Sequence, residues 1–264
     1  MKRVIKKLLG RDGHPPVTPS CPQGERIYCI GDIHGRIDLL QQLHDKILED
    51  SAAYTGSRKV IYLGDFIDRG EESRAVIDRL LNQPLPGFDT VYLRGNHEQT
   101  LLDFLQHAEV GQGWLTYGGT ATLVSYGVRV AKIPARKEDY IALQHSLADR
   151  LPESHLDFLQ NTRLSYSSGS YYFVHAGIRP GVALNKQVAD DQLWIRGEFL
   201  SCRKHKEQII VHGHSISDEP VILHNRIGID TGAYASGKLT ALVLENDTQR
   251  FIQTGSKSEE VESQ

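Results

Sequence analysis

With 264 residues, 39% of them hydrophobic and 24% charged, the chain is long enough for one large α/β domain and ordinary in composition for a globular protein. Lys and Arg number 30 against 33 Asp and Glu, so at a net charge of −3 there is no global basic excess to neutralise a nucleic-acid backbone, and no nucleic-acid partner is expected. No run approaches the ~18 apolar residues of a membrane span, and three cysteines (Cys21, Cys29, Cys202) without CxxC spacing exclude a structural zinc site and point to a reducing, cytoplasmic setting.

Residues 1–24 read as a flexible tail: Lys2, Arg3, Lys6 and Lys7 make it basic, and Pro15, Pro16, Pro19 and Pro22 block regular structure. MKRVIKKLLG is followed by RDGHPPVTPS rather than an apolar run, so no cleaved secretory signal is expected. From Glu25 a unit recurs three times. ERIYCIGD, KVIYLGD and TVYLRGN are short β-rich runs. Each precedes a helical pattern, with Ile37, Leu40, Leu43 and Ile47 in the first, Val76, Ile77 and Leu80 in the second, and Leu101, Leu102 and Leu105 in the third. Such alternation predicts βαβ units with parallel pairing.

Residues 108–165 change character and predict a mostly helical insertion, placed as a cap over the site. β character returns in SYYFVHAG and EQIIVHGH. PVILHNRIGIDTG, KLTALVLEN and TQRFIQT predict consecutive antiparallel strands. No linker interrupts 25–253, which therefore reads as one domain, and 254–264 is polar, acidic and expected to be disordered.

The chemically competent residues fall at strand ends. Asp32 and His34 follow the first strand; Asp65, Asp68 and Arg69 the second; Arg94, Asn96 and His97 the third; His175 and His214 follow SYYFV and QIIV. In an open α/β sheet ligands bind beyond the carboxyl ends of strands, so five ends converge on one crevice. Carboxylate, imidazole and amide oxygen without thiolate suit Mn²⁺, Fe or Zn²⁺, and a pair of such ions would activate a water and neutralise oxyanion charge. One carboxylate must bridge the pair, and Asp65 lies between the others in chain order. Arg69, Arg94 and Arg196 are the residues whose guanidinium forks could hold phosphoryl oxygens. His212, two residues before His214, reads as packing; Tyr234 reads as a surface-loop residue; and His44, His107, His145, His155, His205 and His224 have no ligand spacing.

GDIHG (31–35), GDFIDRG (64–70) and GNHE (95–98), with VHAG and HGH downstream, resemble the ordered signature motifs of the PPP-type serine/threonine protein phosphatases, in the calcineurin-like metallophosphoesterase superfamily. The short chain and LWIRGEFL resemble bacterial and phage members. The resemblance implies an α/β fold of mixed β-sheets sandwiched between helices. It implies a dinuclear site with Asp32 and His34 on one divalent ion, Asp65 bridging, and Asn96, His175 and His214 on the other, with Mn²⁺ the first choice and Fe or Zn²⁺ the alternatives. His97 would be the general acid, paired with Asp68, and Arg69 and Arg196 would grip phosphate, with Arg94 assisting. The implied activity is a phosphoprotein phosphatase, in which a metal-bridging hydroxide attacks a phosphomonoester directly. Its substrates would be phosphoproteins or phosphopeptides, with small phosphomonoesters accepted in vitro, and serine/threonine and tyrosine phosphates both remain open.

The nearest rival is a symmetrical dinucleoside tetraphosphate hydrolase, a related group that commonly lacks the aspartate of DRG and carries GNHD; the presence of Asp68 and Glu98 favours the phosphatase. A non-catalytic binder of the same fold is disfavoured because every candidate ligand is present. A polynucleotide phosphodiesterase is disfavoured by the charge and by the lack of interleaved aromatic and basic stripes.

Overall fold

In β1 (Glu25–Ile30), Ile27 and Cys29 point one way and Tyr28 and Ile30 the other, and all four are buried. That is the pattern of a strand covered on both faces. The computed structural model, which describes residues 19–130, 134, 136–203 and 208–255, shows what covers them. β2 (Ser57–Tyr62) and β3 (Asp89–Tyr92) extend β1 in parallel, each strand reaching the next through a helix, α1 (Ile37–Ser51) and α2 (Ser73–Asn82); α3 (Asn96–Gln106) follows β3. These are the three units expected from the periodicity.

The helical stretch follows as α4 (Gly111–Trp114), a π-helical turn (Leu115–Gly119), α5 (Thr120–Ser125), α6 (Lys137–Ala148) and α7 (Glu153–Gln160). Then come β4 (Ser165–Ser168), β5 (Tyr171–Val174), α8 (Ala189–Trp194), α9 (Gly197–Ser201), β6 (Ile209–His212), β7 (Val221–Ile222), β8 (Arg226–Gly228), α10 (Ala233–Ser236), β9 (Thr240–Glu245) and β10 (Thr248–Gln253). The strands form two mixed five-stranded sheets, ordered β10-β9-β1-β2-β3 and β4-β5-β6-β8-β7.

Alternation along each strand sorts its side chains into layers. Ile27, Cys29, Ile61 and Leu242 of the first sheet pack with Phe173, Val211 and Ile227 of the second. Tyr28, Ile30, Val60 and Val243 turn outward onto Leu40, Leu43 and Val76 of the helices. Tyr172, Val174 and Ile210 meet Phe199 on the far side of the second sheet. The result is helix, sheet, sheet, helix, the α/β sandwich expected. Buried side chains of this size each contribute ~1.5–3 kcal/mol through apolar burial.

The C-terminal strands depart from the expected meander. β7 and β8 form a hairpin inside the second sheet, whereas β9 and β10 form another in the first, with β9 antiparallel to β1. Partner choice is non-local: β8 is already paired in parallel with β6, so the chain crosses to the free edge of β1. Cys21, counted in the tail, is buried, its N–H donating to Asn246 O at 2.8 Å. The tail's residues 1–18, His205 and residues 256–264 lie outside the described residues. All three cysteines are free. No helix among the described residues is long and apolar enough to cross a membrane.

Register positions the site. Ile30 pairs with Tyr62 and Tyr62 with Tyr92, so β1, β2 and β3 end level and their following turns begin side by side.

Candidate metal centre and substrate cavity

Those turns are backbone-strained. Among the described non-glycine residues with positive φ are His34 (48°), Asp65 (51°), Asp68 (72°), Arg69 (68°) and His214 (60°); the one other, Asn246, sits in the β9–β10 turn. A residue held in the left-handed region costs about 1–3 kcal/mol and persists only where its surroundings fix it. Glu98 supplies part of that fixing. Its buried carboxylate accepts N–H bonds from Asp65 (2.7 Å), Phe66 (2.7 Å), Ile67 (3.3 Å) and Gly95 (2.8 Å), clamping the second turn to the third. A side chain on Gly95 would collide with Asp65, so only glycine allows that approach.

Asp65 is the centre of the assembly. Its Oδ2 lies 3.5 Å from His34 Nε2, 3.5 Å from His175 Nε2 and 3.9 Å from His97 Nε2. Two metal-sized groups share it: His34–Asp65–His97 and Asp65–His175–His214. Asn96 Oδ1 lies 2.9 Å from His175 Nε2. Asp32 borders the second group, its Oδ2 accepting the His214 N–H at 3.0 Å.

The donor set fits divalent cations. His34 Nδ1 donates to Ile67 O and His175 Nδ1 to Leu63 O, each at 2.9 Å. Burial lowers both rings, His34 to about 3, so each keeps one proton and turns an unprotonated Nε2 toward the Asp65 carboxylate. Burial likewise takes His214 to about 2. Burial alone would raise Asp65, but His175, His97, His34 and His214 hold it well below the carboxylate range. Asp32 Oδ1 and His214 Nε2 are buried without any hydrogen-bond partner. Acceptors converging with nothing to accept from are what a cation satisfies.

His97 differs from the other imidazoles. Its Nδ1 meets Asp68 Oδ2 at 2.6 Å, and although burial pushes it down, Asp65 and Asp68 outweigh that and lift it to about 9. Asp68 is in turn held by the helical stretch: Trp114 Nε1 donates to Oδ2 at 2.8 Å and Thr122 Oγ1 to Oδ1 at 2.5 Å.

A cavity of about 470 Å³ opens beside this centre, lined by Arg69, Asn96, His97, Arg196 and His214 and by Trp114, Tyr117 and Trp194, among others. Arg69 Nη2 reaches His97 Nε2 at 3.3 Å, and its guanidinium sits 4.7 Å from the Tyr234 ring centroid. Arg196 bonds Ser215 Oγ at 3.4 Å.

Arg94 is not brought into the cavity. Its guanidinium is taken up by Thr162 Oγ1 (2.9 Å), Gln99 Oε1 (2.9 Å) and the carbonyls of Leu159 (3.3 Å), Gln160 (2.7 Å) and Thr162 (3.4 Å). The C-terminal end of α7 and the residues just after it supply acceptors that sequence order does not reveal. Tyr234 corrects the surface-loop expectation: its ring stands edge-on to His34 with centroids 5.5 Å apart. Asp230 is a residue the reading missed, buried beside Asp32 and raised to about 6 by burial and by Asp65. The available signal was its place in IDTG, one more Asp just beyond a strand, β8. His212 packs as expected, bonded to Gly213 O (3.0 Å) and Arg226 Nη1 (3.1 Å). His44 and His155 are buried on Tyr62 and Tyr126, respectively.

Residues 25–241 match the calcineurin-like phosphoesterase family, and the chain belongs to it. By class it is a metallophosphoesterase, a hydrolase of a family that uses divalent metals. Among curated proteins it is similar to the bis(5'-nucleosyl)-tetraphosphatase PrpE [asymmetrical] of Halalkalibacterium halodurans, 30% identical over 222 residues that cover 81% of this chain and 87% of that protein. The protein of the same name from Oceanobacillus iheyensis is 27% identical over 238 residues, 82% of this chain and 87% of that one. In fold the chain resembles a cold-active protein-tyrosine phosphatase of a psychrophilic Shewanella, with TM-score 0.60 and 18% identity over 92% of this chain and 86% of that one.

Proposed function

We propose that the chain hydrolyses the polyphosphate bridge of bis(5'-nucleosyl) tetraphosphates, by asymmetrical cleavage. The observation that carries this reading is the make-up of one cavity, in which Arg69, Arg196 and the Asp65 centre share walls with the rings of Tyr117 and Trp194, 69% and 46% exposed. Nucleobases stack on such rings for ~1–3 kcal/mol each. The two similar bis(5'-nucleosyl)-tetraphosphatases support the same substrate class.

Asp32, His34, Asp65, Asn96, His175 and His214 would hold two divalent ions, Mn²⁺ first. Bound there, they would lower the pKa of a water toward ~7 and offset phosphoryl charge. Arg69 and Arg196 orient the non-bridging oxygens, bidentate geometry favouring arginine over lysine. As the water oxygen bonds to phosphorus and the bridging P–O bond breaks, His97 passes its Nε2 proton to the departing oxygen, and Asp68 holds the ring through Nδ1. A cytoplasmic setting belongs to the same proposal and rests on the three free cysteines.

The phosphoprotein reading keeps the His97–Asp68 pair as its support. Glu98 no longer speaks for it, because four backbone amides occupy its carboxylate and its presence reports how the turn is built. Both readings are tested by chelator-stripped protein, with and without added Mn²⁺, on diadenosine tetraphosphate, a phosphoserine peptide and a phosphotyrosine peptide. The expected result is Mn²⁺-dependent conversion of the dinucleotide to ATP and AMP. Two ADP would make the cleavage symmetrical, and release from peptides alone would overturn the dinucleotide reading in favour of phosphoprotein.

A further inference from the structure

One residue in the cavity is at odds with a polyanionic substrate. Asp103, on α3, lines the cavity together with Thr100, Val110 and Tyr117. It lies six residues beyond His97, about 9 Å along the helix axis. A carboxylate there repels phosphate, so it favours binding only where the substrate brings a hydrogen-bond donor.

Its orientation is fixed by a relay. Gln99 Nε2 donates to Asp103 Oδ1 at 2.9 Å, and Gln99 Oε1 accepts from Arg94 Nη1 at 2.9 Å. Arg94 is anchored by the carbonyls of Leu159, Gln160 and Thr162. Oδ2 of Asp103 is left with no hydrogen bond to a described residue. Tyr117, 69% exposed, lines the same cavity. An aromatic ring and an acceptor with a free oxygen in one cavity match a nucleobase that carries an exocyclic amino group. The ring stacks and the amine donates to the carboxylate. A base with a carbonyl at that position would set two acceptors against each other.

We propose that Asp103, held by Gln99 and Arg94 in the cavity that Tyr117 also lines, accepts the exocyclic amino group of the substrate's base and makes the site select adenine over a purine carrying a carbonyl there. This rests on the dinucleoside tetraphosphate reading of the same site. It also makes Arg94 a positioning residue that acts through Gln99 on the base rather than on phosphate.

The test is kcat/KM for diadenosine and diinosine tetraphosphate, measured with Mn²⁺ on the full chain and on Asp103→Asn and Gln99→Ala. The unaltered chain should favour diadenosine by about tenfold or more, the scale of one hydrogen bond to a charged group. Asp103→Asn, which can present an amide N–H to the inosine carbonyl, should abolish or invert that ratio. Gln99→Ala, which frees the carboxylate, should reduce it mainly through KM for diadenosine. Equal use of both dinucleotides by the unaltered chain would overturn the proposal, and so would an adenine preference that survives Asp103→Asn. Hydrolysis of neither dinucleotide, with phosphate still released from a phosphopeptide, would overturn the substrate reading and this proposal with it.

Discussion

Two regions meet at the cavity and are built on opposite principles. On one side, Asp32, His34, Asp65, Asn96, His175 and His214 sit at the ends of strands from both sheets, in turns so tight that three of the six have positive φ. On the other, Asp103, Trp114, Tyr117 and Thr122 come from consecutive turns of helix. Their roles arise only because α3, α4 and α5 pack around Asp68 and the cavity. In the first region chemistry is written into local backbone. In the second it is created by packing, and the same residue types on another helix would mean nothing.

Substitutions on the two sides should therefore fail differently. Asp65→Asn removes the carboxylate common to both metal-sized groups, and metal content and turnover should fall together, turnover on the order of 10³-fold. Retention of both ions by that variant, seen by elemental analysis, would show that the strand-end region does not depend on its centre. His97→Asn should keep its metal and lose ~10²–10⁴-fold on an alkyl phosphate, with a smaller loss on 4-nitrophenyl phosphate, whose departing oxygen needs no proton. If that variant comes out empty of one ion, His97 belongs with His34 and Asp65 as a ligand.

Trp114→Phe keeps a smaller aromatic ring in the cavity wall and deletes the N–H that Asp68 accepts. It should cost about tenfold in kcat on the alkyl phosphate and little in KM, the scale of a hydrogen bond to a charged group. An unchanged kcat would detach the helical side from the His97–Asp68 pair. Remote from the cavity, His44 is buried on Tyr62 and lowered from 6.5 to about 4 by burial, with Arg79 adding to the effect. Because the unfolded chain binds that proton more readily, its contribution of roughly 3 kcal/mol is complete above pH 6.5 and is lost as pH falls toward 4. Thermal melting of His44→Gln against the parent across that window should show a flatter acid limb in the variant.

The same contrast explains what the sequence made legible. The three parallel units were readable because Leu40, Leu43 and Ile47 repeat at helical spacing behind a short apolar strand, and both signals are local. The C-terminal strands were readable as strands but not as partners, since nothing near Thr240 says that β9 will cross to β1. At the centre, Asp32, Asp65 and His214 were legible because each closes a strand. Arg94 follows the same rule and ends elsewhere, since all its acceptors but Gln99 come from residues 159–162, more than sixty positions away. Tyr234 and Trp114 carried no local mark; both acquire their contacts, with His34 and Asp68 respectively, only in the folded chain.

The most direct test of the central claim, that one shared carboxylate organises two cation sites at the strand ends, is metal stoichiometry. Chelator-stripped protein, reloaded with Mn²⁺ and freed of excess, would be measured by elemental analysis per mole of chain. Two ions per chain is the predicted result. One ion, or none, would contradict the shared role of Asp65.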